Sequence, residues 1–129
     1  MIVEIFSLCD AATSDSGKLN LLGAFDVINV KQFPAVLAHC SVAVRLRFFA
    51  SEQGDHHIEV RFIDADGKSI LPPAGGSIKV ELPQGQRSAA FNLVLNIPGL
   101  KIDAAGDYAL ELRVAGQGVI SLPLEVRQQ

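Results

Sequence analysis

Tryptophan is absent from these 129 residues, and the chain holds only two cysteines, one methionine and one tyrosine. Two cysteines cannot supply the disulfide framework on which small exported domains depend. Positive charge is scarce and dispersed: 11 Lys and Arg stand against 14 Asp and Glu, for a net charge of −3. That balance excludes the basic stripe by which proteins hold nucleic acid. It also leaves no polybasic run or amphipathic helix to hold a membrane surface. No apolar run approaches the ~20 residues that a transmembrane helix needs. The opening Met1-Ile2-Val3-Glu4-Ile5-Phe6-Ser7 lacks the basic residues of a secretory signal, and Glu4 interrupts its apolar run. The expected location is therefore the cytoplasm, with Cys9 and Cys40 as free, buried thiols rather than a disulfide.

Helical periodicity is missing too, since no segment keeps a 3.6-residue apolar period over three turns. What is present is alternation. Val42, Val44, Leu46 and Phe48 share one face, with Arg45 and Arg47 on the other. Ile58, Val60 and Phe62 repeat the pattern, as do Ile78, Val80 and Leu82, then Phe91, Leu93, Leu95 and Ile97. Tyr108, Leu110, Leu112 and Val114 alternate with Glu111 and Arg113, and Ile120, Leu122, Leu124 and Val126 close the series. Such segments are half-buried antiparallel strands with one wet face.

Turn residues divide the strands. Thr13-Ser14-Asp15-Ser16-Gly17 separates strand 2–11 from strand 18–30, which is long enough to require a bulge or bend at Gly23 or Asp26. Ser51 to Asp55 reads as a hairpin loop between strands 41–50 and 56–64, setting Arg47 opposite Glu59 and Phe49 opposite His57. Gly116-Gln117-Gly118 closes the final hairpin. The chain is read as one domain, residues 1–129, all-β: an immunoglobulin-like Greek-key β-sandwich of about seven to nine antiparallel strands.

One motif refines that reading. In Asp103-Ala104-Ala105-Gly106-Asp107-Tyr108 an acidic turn and a glycine precede the tyrosine that opens an alternating strand. This is the sequence form of a tyrosine corner, in which the hydroxyl bonds to backbone a few residues upstream. Tyr108, Asp103 and Gly106 are its members. The position two residues beyond is Leu110 rather than a cysteine, so an apolar core has to replace the disulfide of antibody-type domains.

Residues able to carry chemistry fail to assemble. His56 and His57 are adjacent on a strand and point to opposite faces, so they cannot grip one metal. Asp64-Ala65-Asp66-Gly67 opens like a calcium loop but has Gly75 where the twelfth-position glutamate belongs. Its carboxylates are expected to cap turn amides. Ser7, Ser41 and Ser121 lack a nucleophile elbow. Asp10 and Asp26 are expected too far apart to form a carboxylate pair. No catalytic residue, metal site or cofactor is assigned.

Leu8-Cys9-Asp10-Ala11-Ala12, Gly17-Lys18-Leu19-Asn20 with Gly23, Arg45-Leu46-Arg47-Phe48 and Gly54-Asp55-His56 together resemble a family of small uncharacterised bacterial proteins, a domain of unknown function. The resemblance covers most of the first 70 residues and implies a stand-alone bacterial protein with no assigned activity. The functional expectation is a non-enzymatic protein-interaction module that self-associates or binds another protein, through a sheet edge or an apolar face near Phe49 and His57. The alternative is a small-molecule or carbohydrate-binding module on loops at one end, where His56, Asp103 and Asp107 would gather.

Overall fold

Runs of β-branched and aromatic residues with period-2 alternation form nine strands in the computed structural model, which describes residues 1–129. They are β1 (Ile2–Asp15), β2 (Lys18–Ala24), β3 (Val27–Val30), β4 (Ala35–Phe49), β5 (Gly54–Ile63), β6 (Ala74–Val80), β7 (Ser88–Ile102), β8 (Gly106–Val114) and β9 (Gly118–Gln128). The only helical turn is a short 3₁₀ segment, Ala50–Glu52. No helix is long and apolar enough to cross a membrane. Two sheets result, a four-stranded one in the order β2-β1-β4-β7 and a five-stranded one in the order β3-β9-β8-β5-β6.

Their facing sides make one apolar cluster. Val42, Val44, Leu46 and Phe48 of β4 meet Ile58, Val60 and Phe62 of β5 and Leu110, Leu112 and Val114 of β8. Leu46 and Phe48 are wholly buried, and each such side chain stabilises the fold by roughly 1.5–3 kcal/mol relative to exposure.

Three connections differ from the sequence reading. Strand 18–30 is two strands: the chain leaves the four-stranded sheet after Ala24 and enters the five-stranded one at Val27, where β3 runs parallel to β9. The sheets are therefore not wholly antiparallel. The segment after Phe49 is no hairpin loop but an arch between sheets. Arg47 lies beside Ile2 and Ala90, whereas Glu59 lies beside Arg113 and Gly75. Residues that favour a tight hairpin also favour an arch, so composition does not separate the two. Finally, β1 reaches Asp15, and the turn shrinks to Ser16-Gly17, both at positive φ (51° and 75°), as a two-residue hairpin requires.

That longer hairpin curls back over the outer face of the four-stranded sheet. Its tip carbonyl, Gly17, accepts from Arg45 and Asn92, each at 3.2 Å, although β1 and β7 share no ladder. Cys9, Ser41 and Ala43 are fully buried yet lie outside the core cluster, on this outer face. The hairpin acts as a flap that seals them. Gly23 permits its curl: φ is +70°, and a Cβ there would fall 2.9 Å from Cγ of Asp10. Beside the flap, Glu4 bridges Arg45 and Arg47 at 2.9 and 2.7 Å.

Candidate interaction surface

At one end of the sandwich the Tyr108 hydroxyl donates to the Ala104 carbonyl at 2.7 Å, and its ring meets Phe62 edge-on at 6.4 Å. Gly106 between them sits at φ +144°, open only to glycine at low cost. Asp103 pairs with Lys101 at 3.8 Å in solvent. Asp64 Oδ1 accepts from the backbone of Asp66 and Lys68 at 3.0 and 2.9 Å, holding the turn. Asp64, Asp103, Lys68 and Lys101 line a hollow of about 380 Å³ beside Tyr108. Two ammonium groups balance two carboxylates there, and no group of three His, Cys, Asp or Glu in the chain is placed to hold a metal.

His56 does not join this end, and Asp107, although beside Tyr108 there, faces a second hollow with Asp26 and Arg127. His56 opens β5 at the far end, stacked on Phe48 at 4.5 Å, its Nε2 2.6 Å from the Glu52 carbonyl. The Glu52 carboxylate there accepts from the Met1 ammonium at 2.8 Å and the Phe49 amide at 3.0 Å, and the ammonium holds its pKa below the usual carboxylate range. The gathering of His56, Asp103 and Asp107 expected from sequence is therefore absent, because the ten-residue β5 separates the ends. Phe49 and His57 are likewise apart: Phe49 ends β4 in one sheet, and His57 is exposed on the outer face of the other. They do not form one patch.

One constellation escaped the sequence reading. His39 and Ser41, two apart on one strand face, approach at 3.3 Å, and Ser41 Oγ donates to Asn96 Oδ1 at 2.8 Å. The i, i+2 spacing was the available signal. Because the serine proton points at Asn96, the imidazole donates to the hydroxyl rather than activating it. Ser41 is also sealed beneath the flap, so this is a structural link between β4 and β7. Both thiols are free and buried. Burial pushes the Cys40 pKa up to about 11 and raises that of Cys9, which keeps them protonated and unreactive.

The side of the sandwich between β6 and β7 is open. Leu93, Leu95 and Ile97 point at the core yet stay only half-buried. Around them run two adjoining apolar hollows of about 180 and 340 Å³, walled by Ile58, Val60 and Phe62. The reason lies in β6, where Gly76 pairs with inward-facing Ile58 and offers no side chain to close the wall. A Cβ added there meets nothing within 4 Å. Beside this cleft, β7 is an edge strand of 15 residues. Thirteen consecutive residues, 88–100, carry no charge.

The chain belongs to the family described as "Family of unknown function (DUF6941)", which matches residues 4–127. No curated protein matches it. Among solved structures, a β-glucosidase from Listeria innocua in complex with gluconolactone is similar over 97% of this chain at 13% identity, with a TM-score of 0.52. The chain spans 16% of that enzyme's length. An alkylpurine DNA glycosylase from Pseudomonas fluorescens bound to DNA with an abasic site analogue aligns over 79% of this chain and 28% of its own, at 14% identity and a TM-score of 0.47. At 13% identity the likeness to the β-glucosidase is one of fold.

Proposed function

We propose that this protein is a non-enzymatic, immunoglobulin-like β-sandwich that works in the bacterial cytoplasm by binding protein, a second copy of itself included. The observation that carries the reading is the cleft between β6 and β7, where core-facing leucines remain half-open. Apolar side chains left this way gain ~25 cal/mol for each Å² that a partner covers. The tyrosine-to-backbone bond at the start of the penultimate strand supports the immunoglobulin-like reading. Two protonated thiols without a disulfide fit a reducing compartment. The loop-end ligand module is the weaker reading, because His56 lies at the far end and Asp103 and Asp107 line different hollows.

Sedimentation of the wild-type protein over a range of concentrations, beside Gly76→Leu, tests the reading. Leucine at position 76 fills the cleft from within and leaves every charge in place. Concentration-dependent association that Gly76→Leu abolishes while retaining the wild-type circular dichroism is the expected result. A wild-type protein that stays monomeric into the millimolar range sinks self-association.

A further inference from the structure

Resting on that self-association reading, we infer that two copies join through β7, strand to strand and antiparallel, so that their four-stranded sheets become one. The backbone carries the argument. β4 and β7 pair without a register shift, and Ala50 N–H donates to the Arg87 carbonyl at 2.9 Å in the same register. In an antiparallel ladder this parity turns the backbone of odd-numbered residues 87–97 toward β4; at Gly99, with φ +64°, the alternation breaks, and Leu100 and Ile102 face the core instead. Ala90, Asn92, Val94 and Asn96 therefore aim their amides and carbonyls outward, at nothing. The outward carbonyl of Ser88 is already taken by the Gln86 side chain at 3.0 Å.

Exposed edges are normally guarded by charge, proline or brevity. The other three edges follow this rule. β2 begins at Lys18 and is turned by Gly23, β3 has four residues and is followed by Lys31, and β6 has seven, carries Lys79 and follows Pro72-Pro73. β7 is more than twice as long as β6, and its only guards, Pro98 and Lys101, lie near its end.

A second copy is the occupant that the uncharged run fits, apolar side chain against apolar side chain. With Leu95 on a two-fold axis, Val94 faces Asn96, and Asn92 faces Pro98, whose carbonyl accepts although it has no N–H to give. No two like charges face one another, since residues 88–100 carry none and Lys101 faces Ala89. The pairs on the cleft side, Leu95 with Leu95 and Leu93 with Ile97, are the non-hydrogen-bonded ones, whose side chains approach most closely. The half-open clefts of both copies would cover one another.

Amide hydrogen exchange on the wild-type protein below and above the association midpoint reads the ladder directly. Slowing of Asn92, Val94 and Asn96 by tenfold or more on association is expected. Association without it places the contact elsewhere and overturns this inference, while the self-association reading stands; a monomer at every concentration removes both. Cysteine cross-linking tests the register. Leu95→Cys is expected to join two copies by a disulfide on oxidation, because the two thiols meet on the axis, and Leu93→Cys is not, because its two copies lie about four residues apart along the strands. Cross-linking through Leu93→Cys in place of Leu95→Cys overturns the register.

Discussion

Tyr108 shows what a single residue contributes here. Its ring packs on Phe62 whether or not it carries a hydroxyl, so Tyr108→Phe removes only the 2.7 Å bond to Ala104. A hydrogen bond of this kind is worth about 1 kcal/mol net. In a domain of this size that lowers the melting temperature by roughly 3–5 °C. Thermal unfolding of the two proteins checks it, and identical midpoints would show the bond to be idle. The tyrosine was legible in the sequence because its partner lies four residues upstream, within the reach of a local motif. The His39–Ser41–Asn96 chain was not, since Asn96 is 55 residues from Ser41 and only the pairing of β4 with β7 brings them together. Cys9 was expected to be buried, but sequence alone cannot say that its cover is a flap rather than the core.

At the scale of elements, that flap makes a prediction of its own. The β1–β2 hairpin rests on the four-stranded sheet through the Gly17 carbonyl, held by Arg45 and Asn92. Asn92→Ala deletes one of these contacts, the weaker one to Ser14 at 3.5 Å, and the 2.9 Å bond that Asn92 accepts from Arg45. Segments held by few contacts open locally without global unfolding. Alkylation by a small maleimide in native buffer is therefore expected to speed up several-fold at Cys9 in the variant and to stay unchanged at Cys40, which belongs to the core. Equal acceleration of both thiols would mean global loosening and would remove the flap as an independent unit. Alternation identified the inward faces of β4, β5, β8 and β9 because burial on one side of a strand imposes period two. It did not identify connectivity. Gly23 and Asp26 signal a bend, but a bend does not reveal that the chain changes sheets there. The bare edge of β7 was visible as an uncharged run, but its meaning depends on the strand order, which places nothing beyond it.

For the whole molecule, the two sides of the core differ in how far they are closed, and truncation should register the difference. Leu100 and Leu95 both belong to β7 and both face inward, but Leu100 is fully buried whereas Leu95 lies half-open in the cleft. Replacing a closed-in leucine by alanine costs about 2–5 kcal/mol, through lost transfer and an unfilled cavity. Leu95 is already half-exposed, so only part of the transfer is lost and the space left behind is open to solvent. A cost of about 1 kcal/mol follows in dilute solution, where single copies dominate. If copies pair across β7, Leu95 becomes interior, and the cost of Leu95→Ala must climb with protein concentration while that of Leu100→Ala does not. Urea unfolding of both variants and the wild type at micromolar and near-millimolar protein separates the cases. Equal costs at low concentration would contradict an open cleft, and a Leu95→Ala cost that ignores concentration would contradict a partner seated over it.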